Sequence, residues 1–271
     1  MDALIQEMGE DKVKIDVENA SGDIPNCTTI VNGFLSADVD LIMANTTPAM
    51  TAAASATSTV PVLGTSVTDY GSALEIENWT GVVGGNVSGT SDLAPLDGQA
   101  AMIRELFPEA ETVGIIFCSA ESNSAYQVEV ISQELKKLGF EVKEFSFTDT
   151  NDIASETQSA CDNSDVIFIP TDNTAASNTE AIANIVIPAR KPVVTGEEGI
   201  AKGCGVATLS ISYYDLGFAT GLQAAKILKG EADIATMPIE YATEFTKKFN
   251  PDICNALDIS VPDDYEALSL D

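Results

Sequence analysis

The sequence predicts an α/β protein built as two doubly wound lobes, each a parallel sheet covered by helices on both faces. Three observations carry this. Short apolar runs alternate with amphipathic stretches along most of the chain. Many of those runs are apolar at almost every position rather than at every second one, which suits strands buried on both faces. And 271 residues are more than one ordinary sheet needs; the series divides near residue 110, with about five units before it and four after.

Taken in order, "VKIDVENA" (13–20) reads as a strand, "IPNCTTIVNGFLSA" as a helix and "VDLIMANT" as a buried strand. "TPAMTAAASAT" gives the next helix, and "VPVLGTSVTD" and "TGVVGGNVSG" two more strands. "APLDGQAAMIRELFPEA" is a helix with Pro95 near its start and Pro108 closing it. After the strand "TVGIIFCSA" comes a helix from about Ser122, whose Val128, Ile131, Leu135 and Leu138 share one face and which Gly139 ends. The strands "FEVKEFSF", "DVIFIPTD" and "KPVVTGEEG" follow, with helices between them. "LSISYYDLGFATGLQAAKILKG" supplies a strand end and a long helix, and "MPIEYATEFTKKFN" a further strand.

Composition narrows the function. There are 42 acidic residues against 13 basic ones, a formal net charge of −29. Such a surface repels nucleic acid and anionic lipid head groups alike, so no nucleic-acid partner is expected. With no histidine, a Ser-His-Asp triad, an H-E-x-x-H zinc site and histidine acid–base catalysis are excluded within the chain. The five cysteines, Cys27, Cys118, Cys161, Cys204 and Cys254, are scattered and form no C-x-x-C. They read as buried free thiols rather than as metal ligands or a disulfide framework, and no metal is expected. "GGNVSG" misses the G-x-G-x-x-G pattern and its strand–turn–helix setting, so no dinucleotide or other cofactor is expected. No apolar run is long enough to span a bilayer, and no stretch reads as a signal peptide.

Polar clusters follow almost every apolar run. Asn45, Thr46 and Thr47 follow "DLIMA"; Thr65, Ser66, Thr68 and Asp69 follow "VPVLG"; Ser91 and Asp92 follow "GGNVSG". Later, Ser119, Glu121, Ser122, Asn123 and Ser124 follow "VGIIFC", Asp172, Asn173 and Thr174 follow "VIFIP", and Glu197 and Glu198 follow "PVVTG". A helix cap needs one such residue, and several of these ends carry three or more. The carboxyl ends of strands in an open α/β sheet are also where ligands bind, so the clusters read as caps that line a cleft as well.

The motifs "ANTTPAMTAA", "SVTD", "GNVSGTSD", "CSAESNS", "PTDNTAAS", "TGEEG" and "SYYDLG" together resemble the bacterial ABC-transporter substrate-binding proteins of the tryptophan/tyrosine-type group. The resemblance runs from about Asp2 to the end of the chain. It implies a type 1 periplasmic-binding-protein fold, with two lobes joined by a three-crossover hinge and closing on a small ligand. The lobes would be 1–109 plus 213–238 and 110–212 plus 239–271. It implies a monomer outside the cytoplasm that delivers its ligand to ABC permease subunits and catalyses nothing. Carried over by motif, the first lobe's site residues are Asn45, Thr46, Thr47, Thr68, Asp69, Ser91 and Asp92. Those of the second are Ser122, Asn123, Ser124, Asp172, Asn173 and Glu197, and Tyr213, Tyr214 and Asp215 lie near the hinge.

Such a site suits a zwitterion, so an amino acid with an aromatic or apolar side chain is the expected ligand. A helix N-terminus with the Thr46 and Thr47 hydroxyls would receive its carboxylate. Asp172 is the first candidate for its ammonium group, and Tyr70, Tyr126 or Tyr213 for a wall against its side chain. Two rivals stand beside this reading. A cofactor-independent racemase would use one cysteine from each lobe, here Cys118 and Cys204, but Cys204 precedes a strand instead of following one. A sugar- or nucleoside-binding protein of the same fold would stack aromatics on a ring. Glu197 and Glu198 are adjacent and point to opposite faces in extended chain, so they are no glycosidase pair.

The amino end carries one more expectation. Ala3, Leu4 and Met8 are spaced for one helix face before any strand appears, whereas a lobe of the family opens with a strand. The chain is therefore expected to be truncated, with a secretion or lipoprotein signal, the first strand and part of the first helix lost upstream.

Overall fold

In the computed structural model, which describes residues 1–269, most apolar runs become strands and the amphipathic stretches become helices. The chain divides after Leu93, Ile211 and Thr243. Met1–Leu93 with Ser212–Thr243 make one unit, and Ala94–Ile211 with the chain from Glu244 onward make the other. The first unit opens with α1 (Asp2–Met8), α2 (Ile24–Ser36), β1 (Ile42–Asn45), α3 (Thr47–Ala56), β2 (Val62–Val67), α4 (Tyr70–Ala73) and β3 (Val87–Ser91). The second runs through α5 (Leu96–Leu106), β4 (Thr112–Cys118), α6 (Ser122–Lys137), β5 (Glu141–Phe147) and α7 (Ile153–Asn163). It continues with β6 (Val166–Ile169), α8 (Asn173–Ala176), α9 (Thr179–Val186), β7 (Val193–Thr195), α10 (Glu198–Cys204) and β8 (Ala207–Ser210). The chain then returns to the first unit for α11 (Tyr213–Leu228) and β9 (Glu240–Tyr241), and to the second for β10 (Thr246–Phe249), α12 (Pro251–Leu257) and β11 (Glu266–Ala267).

The first unit's sheet has the order β1-β2-β3-β9 and is parallel throughout. Its strands are covered on both faces, as their unbroken apolar character requires. Val62 and Val67 meet Val31, Met50 and Ala53 from α2 and α3, while Leu63 meets Leu4, Ala224 and Ala225 from α1 and α11. Gly64 and Gly89 stand opposite each other in the ladder, with Tyr70 laid across them. A Cβ on Gly64 would lie 2.3 Å from the Tyr70 hydroxyl oxygen, so the ring needs a glycine there.

The second sheet has the order β11-β10-β8-β7-β6-β4-β5, parallel except where β10 runs against β8. One of its faces packs Ile116, Ile167, Ile169 and Val193 against Ile153, Ala160, Ile182 and Ile200 of α7, α9 and α10.

Three segments depart from the sequence reading. Residues 13–20 form no strand. Val13 and Ile15 alternate with exposed Lys14 and Asp16 and pack on the α1–α11 cluster, but the segment pairs with no neighbour among the described residues, and a lone extended chain gains no ladder bonds. The boundary read at 109 moves back to Leu93, because α5 packs on α6 and β8 of the second sheet. And "MPIEYATEFTKKFN" is two strands, not one: β9 pairs with β3 in the first unit and β10 with β8 in the second.

Candidate functional site

In the second unit the polar residues after β4 and β6 form one network. Asp172 is 1% exposed and caps α8. Its Oδ1 accepts from Ala175 N–H at 2.8 Å, and its Oδ2 from Cys118 N–H at 2.6 Å and the Ser124 hydroxyl at 2.8 Å. Glu121, also buried, accepts five hydrogen bonds: from the backbone N–H groups of Asn173 and Thr174, the Thr174 hydroxyl, and the side-chain amides of Asn173 and Asn123. Gln127 and Asn123 donate to the Thr171 carbonyl, and Thr171 N–H returns a bond to Gln127. Burial first, then the Glu121 charge, raises the Asp172 acid above the usual carboxylate range. Neither carboxylate forms an ion pair with a lysine or arginine among the described residues. Two further acceptors of this unit, Asn123 Oδ1 and Gln99 Oε1, are buried and bonded to nothing among the described residues.

Of the six residues expected here, Asn123, Ser124, Asp172 and Asn173 come together in this network. Ser122 opens α6 and is exposed. Glu197 caps α10, accepting from Gly199 and Ile200 N–H.

The first unit is built differently. Asn45, exposed, ends β1, and buried Thr47 opens α3. Between them Thr46 holds a left-handed φ of 84°, and its N–H donates to Thr65 O. No side chain among the described residues caps α3, so its first N–H groups are left for another acceptor. Asp69 caps α4 through Ser72 N–H at 2.7 Å. Thr68, Ser91 and Asp92 cluster at the ends of β2 and β3: the Ser91 hydroxyl donates to Thr68 O at 2.8 Å, and Asp92 N–H to Val67 O at 3.3 Å. Asp92 is 4% exposed. The Tyr213 hydroxyl donates to its Oδ2 at 3.2 Å, while its Oδ1 accepts no bond among the described residues. Burial pushes the Asp92 acid up to about 6, against the pull of the Thr68 and Tyr213 hydroxyls.

Tyr70 is core and not a ligand wall: it is 1% exposed and its hydroxyl donates to Thr90 O. Tyr126 and Tyr213 are half-buried. Gln99, Gln127 and Tyr241 fall outside the expected site residues, and Glu121 enters the sequence reading only through its strand-end polar cluster. Gln99 and Gln127 did leave a signal, a polar residue on the buried stripe of a helix, beside Ala100 and Ile103 in α5 and Val128 and Ile131 in α6.

The cysteines leave the racemase without its geometry. Cys118 and Cys204 lie in the same unit and the same core cluster, not one in each lobe. Burial pushes the Cys204 thiol up to about 12 and raises that of Cys118 as well, so neither is a thiolate at neutral pH. No group of three or more metal-ligating side chains gathers among the described residues.

Comparison with known proteins decides the family. The sequence model described as "ABC transporter substrate binding protein" matches residues 1–269. The chain belongs to the ABC transporter substrate-binding proteins. This binding protein is 32% identical over 249 residues to a tyrosine-binding protein of Clostridioides difficile (strain R20291), covering 92% of the chain and 72% of the relative. It also matches the crystal structure of an ABC domain in complex with L-Trp from Streptococcus pneumoniae, with a TM-score of 0.91 and 30% identity, over 98% of this chain and 94% of that one. A ligand-free, open structure of a substrate-binding protein with adhesive properties from Clostridium difficile matches at TM-score 0.73 and 30% identity, over 100% and 94% of the two chains. The fold is that of the type 1 periplasmic binding proteins, two α/β parallel-sheet lobes. The family binds and delivers small ligands and is not one of enzymes.

Proposed function

We propose that this binding protein captures an amino acid with an aromatic or apolar side chain outside the cytoplasm and delivers it, as a monomer, to the permease of an ABC importer. One observation carries the reading. At strand ends in both units, carboxylates are buried with no lysine or arginine among the described residues paired to them, a state that is costly until a cationic group arrives. An amino acid brings that group. It also brings a carboxylate, for which the uncapped start of α3, with the Thr47 hydroxyl, is the suited receptor. The named ligands of two relatives, tyrosine and L-Trp, support the aromatic side chain. The strongly acidic chain is in keeping with a partner that is not nucleic acid.

Thermal-shift screening of the protein against the standard amino acids, with calorimetry on the hits, tests the proposal. Tyrosine, tryptophan or phenylalanine should raise the melting temperature, since a ligand that binds only the folded state stabilises it. A shift with sugars or nucleosides and with no amino acid would overturn it.

A further inference from the structure

We propose that Asp92, and not Asp172, is the carboxylate that receives the ligand's ammonium group. The assignment rests on the amino-acid reading above and chooses between two buried aspartates.

The two differ in what already occupies their oxygens. Asp172 holds a backbone N–H on Oδ1 and two donors on Oδ2, the pattern of a residue that ties a loop together. Asp92 holds the Tyr213 hydroxyl on Oδ2, and its Oδ1 is buried with no partner among the described residues. A buried, unpaired carboxylate oxygen is a liability to the fold unless something else completes it. The neighbours of Asp92 show what is missing. Tyr213 comes from α11, Tyr70 from α4, and Tyr241 from β9, where it stands opposite Ser91; Asp69, on the same loop as Thr68, is turned to its own helix. With the Thr68 hydroxyl, which also favours the ionised form, these are hydroxyl groups and one carboxylate, and no lysine or arginine among the described residues contributes to the Asp92 environment. A cation entering here finds an acceptor already desolvated, which is where a charge-assisted hydrogen bond is strongest. Tyr241, 45% exposed, and half-buried Tyr213 add ring faces that suit an ammonium group and an aromatic side chain.

A pH dependence follows. An ammonium group pairs with ionised Asp92, and the amino acid keeps its own charge across the range in which Asp92 titrates. Affinity should therefore be full above the Asp92 acid range and fall as pH drops below about 6, with a proton released on binding in that region.

Calorimetry with L-tryptophan and with indole-3-propionate, the same molecule without its amino group, tests this in wild type, Asp92→Asn, Asp172→Asn and Tyr213→Phe. Asp92→Asn should weaken L-tryptophan by roughly 10- to 100-fold while leaving indole-3-propionate within about threefold. Asp172→Asn should preserve the preference for the amino compound. Tyr213→Phe removes a donor that favours ionised Asp92, so the pH at which affinity is lost should move upward; this holds the proposal to account even if Asp92→Asn folds poorly. Unchanged preference for L-tryptophan in Asp92→Asn, or collapse of that preference in Asp172→Asn alone, would overturn the assignment and leave the amino-acid reading standing. Failure of wild type to bind any amino acid would overturn both.

Discussion

The two units carry the same local device at the carboxyl end of an interior strand. In the first, β2 runs into Thr68-Asp69, and Asp69 caps the four-residue helix α4 through the N–H three residues on. In the second, β6 runs into Thr171-Asp172, and Asp172 caps the four-residue helix α8 in the same way. Beyond that the aspartates part company. Asp172 has been drawn further, its second oxygen bridging Cys118 and Ser124 on the neighbouring strand end and helix. Asp69 spends its carboxylate on its own helix, and the more deeply buried carboxylate of that region is Asp92, just past the end of β3. An identical Thr-Asp pair after a buried strand thus fixes the turn, while the neighbouring strand decides whether the carboxylate becomes scaffold.

The largest effect expected from breaking the second unit's scaffold is at Glu121. Glu121→Ala strands the N–H groups of Asn173 and Thr174 together with the Asn173 amide and the Thr174 hydroxyl, while the Asn123 amide keeps its bond to the Thr171 carbonyl. A loss of about 3–5 kcal/mol is expected, because buried donors without acceptors forfeit their solvation. Urea unfolding followed by circular dichroism measures it, and hydrogen exchange at the Asn173 and Thr174 amides should localise the damage. A loss under about 1 kcal/mol would show that the network contributes little to the fold.

Asp172→Ala comes next, at about 2–3 kcal/mol, since it releases three donors, one of them the capped N–H of α8. Stability falling by this amount would mark Asp172 as scaffold whatever happens to ligand affinity. An unchanged unfolding midpoint would instead reopen Asp172 as a group held ready for the ligand.

How far the sequence could show this contrast depends on the distance over which each fact is set. Strands such as β2, β4 and β6 are legible because burial on both faces leaves a local mark, apolar residues side by side. Residues 13–20 mislead for the complementary reason: Val13, Ile15 and Val17 alternate as a strand should, but pairing is non-local and the segment joins no ladder. The site residues are legible as strand-end polar clusters, and not by role. Asp172 is committed by a backbone N–H 54 positions earlier, and Asp92 meets a hydroxyl 121 positions later. Neither separation leaves a trace in a single sequence.

Burial raises the acids of both Asp92 and Asp172, and replacing Asp92 isolates its own share of the resulting pH dependence. Its acid is raised in the folded state, to about 6 from an ordinary 3.8. The protonated form folds without penalty below the unfolded value, and that stability is lost as pH climbs through the folded one. An asparagine at this position does not titrate. Asp92→Asn should therefore gain about 1–2 kcal/mol on the wild type between pH 5 and pH 8, seen as a melting-temperature difference that widens with pH. A difference independent of pH would mean that the Asp92 carboxylate is better solvated than its burial implies.

The smallest effect sharpens the opening comparison most directly. Asp69→Ala removes the cap of α4: Ser72 N–H loses its acceptor at 2.7 Å, while the Ser72 hydroxyl keeps its bond to the backbone carbonyl of residue 69. A single cap on a short helix is worth about 1 kcal/mol. If the difference between the two Thr-Asp pairs lies in the bridge to the next strand, Asp172→Ala should cost more than Asp69→Ala, and Ser124 should account for part of the excess. In a Ser124→Ala background, Asp172 keeps Cys118 N–H but has lost the hydroxyl. The excess should then shrink by about 1 kcal/mol and retain the share belonging to Cys118 N–H. Equal losses from the two alanine variants in the wild-type background would show instead that both aspartates are simple caps, and that the strand beside them makes no difference.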